Sequence, residues 1–289
     1  MGEEVGYDAE EQARFQNDGP GVEPVGEHTI DSFSGLLGGL HEFRRWAFES
    51  AALDLALRQA GLSLHGLLGR TPQPVGFVVS TALGDEGAER LRRLEGMRFK
   101  LDPVSDWDDQ LVAALAELNS IDVVDFKEAY TWREPERAAP PALYRLLVDA
   151  LPNALIEDPD VGDQDKAAVL GPHRARITWD AVIHSVEDVD SLPFLPRFLN
   201  SKPSRFGSLR RLLEFYDVCA ARGIKLYGGG QFELGPGRGQ IQYLASLFHP
   251  DAPNDVAPSG YNLVPPSARL PRSPLDPTPD RIGFRWLQG

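Results

Sequence analysis

The chain has 289 residues, 42% of them hydrophobic, and a formal net charge of −14 from 43 acidic against 29 basic side chains. That length and apolar share suffice for one large domain with a sizeable core plus a remainder, and the acidic balance argues against a broad phosphate-binding surface, so nucleic acid is not an expected partner. The longest apolar runs fall far short of the ~20 residues a membrane span needs; with a single cysteine, Cys219, and no basic or apolar leader in "MGEEVGYDAEEQ", a cytoplasmic location is expected by elimination.

The first 38 or so residues are acidic, glycine-rich and weakly periodic, and look incomplete as a domain. From about 40 to 69, "LHEFRRWAFESAALDLALRQAGLSLHGLLG" spaces its apolar residues at helical intervals, with Gly61 placed to end one helix before a second begins. After Pro74 the pattern changes to short strand-like runs, "VGFVVS", "MRFKL", "DVVDF", "NALIE", "ARITWD", "FLNSK" and "IKLYGGG", most of them separated by helix-length segments. Such alternation predicts a parallel sheet, and this many units in so short a span favour a closed (β/α) barrel over residues 73–261. Residues 262–289, beginning with proline-rich sequence, read as an extended tail packing on the barrel or on residues 1–72. Within the helical run "LRRLLEFYDVCAARG", Cys219 reads as a small core residue. "SDWDDQL" reads as an N-cap followed by acids in a helix's first turn.

In a (β/α) barrel the chemistry gathers at the C-terminal ends of the strands. Those ends present Lys100, Asp125, Glu157, Asp180 and Lys202 in that order, followed by Glu233 after the glycines of "YGGGQFE", while Ser80 ends the first strand. Three consecutive strands thus supply Asp, Glu and Asp, hard oxygen ligands that repel one another unless a cation lies between them. Magnesium is the expected occupant, with manganese as a substitute. Lys100 and Lys202 stand on the flanking strands, where a barrel would set them across the metal from each other. A substrate carboxylate bound to that cation would lose its α proton more readily, because the enediolate charge is stabilised, and a lysine beside the cation holds its own proton less tightly.

The succession Lys100, Asp125, Glu157, Asp180 and Lys202, together with "SKPSRFGSL" and "GGGQFELGPGRGQIQYLASL", resembles the enolase superfamily, in particular its muconate-lactonizing and o-succinylbenzoate synthase branch. "RRWAFESAALDLALRQAG" resembles the helical segment that precedes the barrel there. The resemblance spans the chain from about residue 40 onward. It implies three magnesium-binding carboxylates, two lysines acting as acid and base, and elimination, cycloisomerisation or racemisation of a small carboxylic acid. A truncated capping region would then occupy 1–72, with "GEEVGYDAEEQ" similar to the last strand of the family's three-stranded meander. The rest of the meander is missing from the chain as given, which means either a late start or an open active site.

Two further departures concern charge. The family's Lys-x-Lys on the second strand is replaced by "RFKLD", which can be framed as Arg98-x-Lys100 or Lys100-x-Asp102. Period-2 alternation favours the first frame, pointing Arg98 inward beside Lys100 as a source of cationic field. Lys127 stands where the family often has asparagine, and either binds a substrate carboxylate or pairs with Glu128 or another acid and points away. The glycine-rich loop lacks the ending of a nucleotide-binding loop, and its glycines are expected to let backbone approach the substrate. His173, His184 and His249 show no ligand spacing and read as surface or loop residues. The competing reading is a non-catalytic, capless barrel that retains a metal or small-acid site; self-association into a homo-oligomer is left open.

Overall fold

Among the described residues, short runs rich in β-branched and aromatic residues form seven strands: β1 Val79–Thr81, β2 Phe99–Leu101, β3 Ile121–Asp125, β4 Leu155–Glu157, β5 Ile177–Thr178, β6 Phe198–Ser201 and β7 Lys225–Gly228. The computed structural model describes residues 1–6, 8–129, 138–262 and 270–287. Five of the strands fall within the runs that the alternation singled out, and β1 and β3 each extend one residue beyond theirs. β1 to β5 pair in sequence order as one parallel sheet, and β6 pairs in parallel with β7.

Hydrogen bonds join the two sheets into a ring. The Asn200 amide of β6 donates to the Trp179 carbonyl just beyond β5 at 3.1 Å, and on the other side the Asp255 amide donates to the Gly228 carbonyl at 2.7 Å and the Val78 amide to the Asn254 carbonyl at 2.9 Å. Asn254 and Asp255 therefore serve as an eighth, two-residue stave between β7 and β1. The sequence pattern passed over this stave because a two-residue segment in "HPDAPNDVAP" has no alternation to detect.

Side chains follow the two-fold period of the strands. Val123 of β3, Leu155 of β4 and Tyr227 of β7 form a small buried cluster inside the ring, separate from the main core. Val123 and Leu155 each lie two residues below a carboxylate, so the next inward layer of β3 and β4 is Asp125 and Glu157. The outward residues meet helices: Tyr144 of the helix Pro141–Ala150 stacks on Phe126 with ring centroids 3.9 Å apart. Cys219 is buried in the helix Leu209–Ala221, where burial raises its thiol to about 12.

Preceding the barrel, the helix Glu42–Ala60 ends at Gly61, whose φ of 66° is the left-handed conformation that favours glycine, and Leu64–Leu68 begins on the Ser63 cap. The expected strand in "GEEVGYDAEEQ" is not formed. Residues 1–6 have no regular structure, and a helix, Ala9–Asp18, starts inside that motif because the Asp8 carboxylate accepts the amides of Glu10 and Glu11 at 2.8 and 2.9 Å. Nothing on this helix is buried.

The segment after residue 270 is bound into the structure. Leu275 exchanges two backbone hydrogen bonds with Val75, Phe284 and Trp286 are buried, and the Phe284 amide and Arg285 guanidinium both reach Asp54 in the helix Glu42–Ala60. The expected surface tail is in this part a clasp between that helix and the barrel. Among the described residues no helix is long and apolar enough to cross a membrane.

Candidate active site

Above the Val123–Leu155–Tyr227 layer the ring interior turns wholly polar. Glu157, fully buried, accepts from the Lys100 ammonium at 2.6 Å and the Asn200 amide at 3.3 Å on one oxygen, and from the Tyr227 hydroxyl at 2.7 Å on the other. Lys100 also lies 3.0 Å from Asp125 and 3.9 Å from Asp255. Burial opposes its charge, but the surrounding carboxylates outweigh this and raise its pKa well above the ordinary value. Burial likewise pushes the Glu157 carboxyl up to about 8, against the pull of Lys100.

Asp125, Glu157 and Asp158 each bring a carboxylate oxygen within 4.8 Å of the others, all buried. A set of hard oxygens crowded at this spacing, two of them with pKa values raised chiefly by burial (Asp158 to about 7), fits a divalent cation. Asp158 escaped the sequence reading because alternation points it outward, next to Glu157. Its φ of 44° turns the chain back, and its carboxylate instead accepts the amides of Asp180 and Ala181 at 2.8 and 2.9 Å.

Asp180, the third carboxylate expected at the metal, is turned toward bases. Its side chain lies 2.7 Å from Lys202 and 2.7 Å from Arg205, and Arg205 also donates to its carbonyl. Burial alone would raise its pKa, yet Arg205 and Lys202 more than compensate and hold it well below the usual carboxylate range. Arg205 went unnoticed in the sequence, although it lies three residues beyond Lys202 in the same "SKPSRFG". The short helix Pro203–Phe206 that follows β6 carries it back over the strand end.

On the β2 side the structure selects the second frame of "RFKLD". Arg98 lies ahead of β2 and half exposed, donating through Nε to Asp122 at 2.9 Å and through Nη1 to the Asn119 carbonyl at 2.9 Å. It is absent from the interior, so it is neither the expected source of cationic field beside Lys100 nor placed to bind a substrate there. The β2–β3 ladder slips between Phe99 and Lys100, and alternation counted back from Lys100 fails across that irregularity. Asp102 instead reaches the rim, where it pairs with Lys127 at 2.5 Å. Lys127 has a left-handed φ of 54°, and its backbone amide donates to Asp125 at 3.1 Å. Burial disfavours its charge, but Asp102 and Asp125 raise its pKa overall. Ser80 is half-buried on β1, in register with Lys100.

Beyond β7 the glycines admit side chains of this chain, where a substrate was expected. A Cβ on Gly229 would stand 2.9 Å from Lys202 Cε and 2.8 Å from Asn200 Oδ1, and one on Gly230 would strike the Glu233 carboxylate. Glu233 is buried, its pKa raised by burial against the opposing charge of Arg238, and one of its oxygens has no partner. At the start of the helix Pro236–Phe248 the amides of Leu234, Gly235 and Gly237 donate to the Glu3 carboxylate at 2.7 to 3.1 Å, as expected for an acid at a helix N-terminus. His249, expected at the surface, is buried against Asn254, and burial lowers it to about 4. His184 joins the barrel to the preceding helical region through Glu42 at 2.7 Å.

Comparison with known proteins gives this arrangement a context. The chain is 30% identical over 231 residues to an N-succinylamino acid racemase of an Amycolatopsis species, and 29% identical over 237 residues to an o-succinylbenzoate synthase of Bacillus subtilis. These alignments cover 76% and 77% of this chain but 61% and 62% of the relatives, so the chain spans about three-fifths of their length. Among solved structures, an enolase-superfamily member from Listeria innocua matches 87% of this chain and 70% of its own, with a TM-score of 0.66 at 24% identity. A dipeptide epimerase from Methylococcus capsulatus, solved with magnesium and the dipeptide L-Arg-D-Lys, matches 83% of this chain and 69% of its own, with a TM-score of 0.62 at 22% identity. The models of a family described as DUF8230, a domain of unknown function, match residues 1–67 with its N-terminal domain and 71–263 with its C-terminal domain. The chain belongs to the DUF8230 family; it shares the fold of enolase-superfamily structures, and the curated relatives it resembles in sequence are N-succinylamino acid racemases and o-succinylbenzoate synthases.

Proposed function

We propose that the protein is a magnesium-dependent lyase or isomerase that removes the proton α to a carboxylate in a small acid of the N-succinylamino acid or succinylbenzoate kind. The observation that carries this reading is the meeting of acids from successive strand ends with buried lysines inside one ring. Asp125, Glu157 and Asp158 would hold the cation, with Asp180 beside them. A bound divalent cation would supply stabilisation of negative charge on a substrate carboxylate.

The chain's own residues divide the remaining work. Lys202, at the end of β6 with its stem against the Gly229 backbone, takes the α proton onto Nζ. Asp180, itself held by Arg205, holds that amine in place. Lys100, enclosed by Asp125 and Glu157, keeps the carboxylates from repelling one another and orients them. Lys100, expected to move a proton, takes the charge-balancing role in this reading because its ammonium rests on two of the proposed cation ligands, whereas that of Lys202 rests on Asp180. Glu233 and Ser80 line neighbouring strand ends as candidate substrate contacts.

Two measurements test the reading. Magnesium titrated calorimetrically should bind the native protein and bind Glu157→Gln more weakly. In deuterated water with magnesium, an N-succinylamino acid should exchange its α proton. If metal binding is absent from the native chain, the barrel is non-catalytic and the proposal fails.

A further inference from the structure

The charged ring has two lysines at its β2–β3 edge, and only one of them is accessible. The side chain of Lys100 is 3% exposed, and those of its partners Asp125 and Glu157 are 2% and 0% exposed. In the pair immediately above, the side chains of Lys127 and Asp102 are 29% and 27% exposed. Along with Asp255, they are where solvent reaches this network. The pair sits directly against the cluster, since the Lys127 amide donates to Asp125 and the left-handed φ at Lys127 folds its backbone over that carboxylate. Asp102 keeps one buried oxygen, Oδ1, without a donor. Two adjacent strand ends thus cooperate: β2 supplies an acid, and β3 reaches across with the amine that the acid holds.

We propose that Lys127, held by Asp102, is the cation that contacts the substrate from the β2–β3 side of the ring, facing Lys202 on β6. This rests on the proposed function and adds a substrate-binding and specificity role that neither Lys100 nor Arg98 can fill, one being enclosed and the other pointing outward. The ligand group it takes is an anionic oxygen, such as a carboxylate of the succinyl kind.

The test uses the full chain with magnesium and N-succinyl-phenylalanine as probe, reading calorimetric affinity, KM and kcat for α-proton exchange, and the thermal midpoint. Lys127→Gln should weaken probe binding and raise KM by about ten- to a hundredfold, the range expected for loss of one charge-assisted hydrogen bond. Lys127→Arg should recover part of that loss. The double exchange of Asp102→Lys with Lys127→Asp should recover more, because it returns an amine to the same edge from the other strand. Lys202→Ala separates the two claims: it should abolish exchange while leaving probe affinity near native. If Lys202→Ala behaves so but Lys127→Gln binds the probe as the native chain does and only lowers the thermal midpoint, the pair is a structural ion pair and this inference alone falls. If the native chain neither binds nor exchanges the probe, both fall together.

Discussion

The ends of β2 and β6 each carry a lysine, and the structure treats the two differently. Lys100 lies inside its strand, so its stem runs through the barrel interior and its ammonium stops between Asp125 and Glu157. Lys202 lies one residue past its strand, as the cap of the short helix Pro203–Phe206, and its stem runs along Gly229 toward Asp180. A one-residue difference relative to the strand end thus separates a charge that neutralises the cluster from one placed at its edge. The residue type is the same in both places; depth along the barrel axis decides the role. On β2 the rim position belongs to Asp102, and the amine at that level comes from the neighbouring strand as Lys127.

Several substitutions would break or sharpen this contrast. The largest effect is expected from Lys202→Ala, which should lower α-proton exchange of an N-succinylamino acid by roughly 10²–10⁴, the range for loss of a general acid–base group. Lys100→Met should act chiefly on stability. Leaving Asp125 and Glu157 buried without their counter-charge should cost about 3–5 kcal/mol of stability, read from urea unfolding of the metal-free protein. A native-like midpoint in Lys100→Met would show that the amine is not the keystone of the cluster.

The next effect is on pH. The folded carboxyls of Glu157 and Asp158 are raised to about 8 and about 7, so their stabilising contribution to the metal-free chain is present below their ordinary values and is lost as pH rises through about 7 to 8. A cation bound to the same oxygens competes with those protons, so magnesium affinity should rise over the same interval. Asp180 is shifted the other way and should not titrate there. Calorimetry in buffers of different ionisation enthalpy would detect the released protons, and an affinity flat from pH 6 to 9 would contradict the assignment. Arg98→Ala should have the smallest effect. An exposed pair of this kind contributes about 0–1 kcal/mol, and exchange kinetics should be native in both rate and pH profile; a shifted profile would put Arg98 back in the interior.

The order of elements was readable from the chain, because strand and helix leave different periods and each of the seven strands lies in or overlaps a short apolar run set between helix-length segments. The ionisable strand ends Lys100, Asp125, Glu157 and Asp180, and Lys202 just past β6, were readable for a related reason: in a parallel barrel the last inward residue of a strand faces the centre whatever its neighbours are. What followed from local regularity failed where regularity stopped. The slip in the β2–β3 ladder accompanies an outward Arg98, left-handed backbone at Asp158 redirected a side chain that alternation points outward, and Asp8 began a helix where a strand was expected.

By itself, then, the sequence determined the barrel, its polarity and the residue types at its mouth, since these depend on hydrophobic period and on the mutual repulsion of buried carboxylates. Only the tertiary structure decided which base meets which acid. Pairing Lys100 with Glu157, Lys202 and Arg205 with Asp180, and Lys127 with Asp102 joins residues that stand at the ends of different strands. Each pairing depends on the depth of the side chain in the ring and on single backbone angles, to which a one-dimensional pattern of apolar and polar residues is blind.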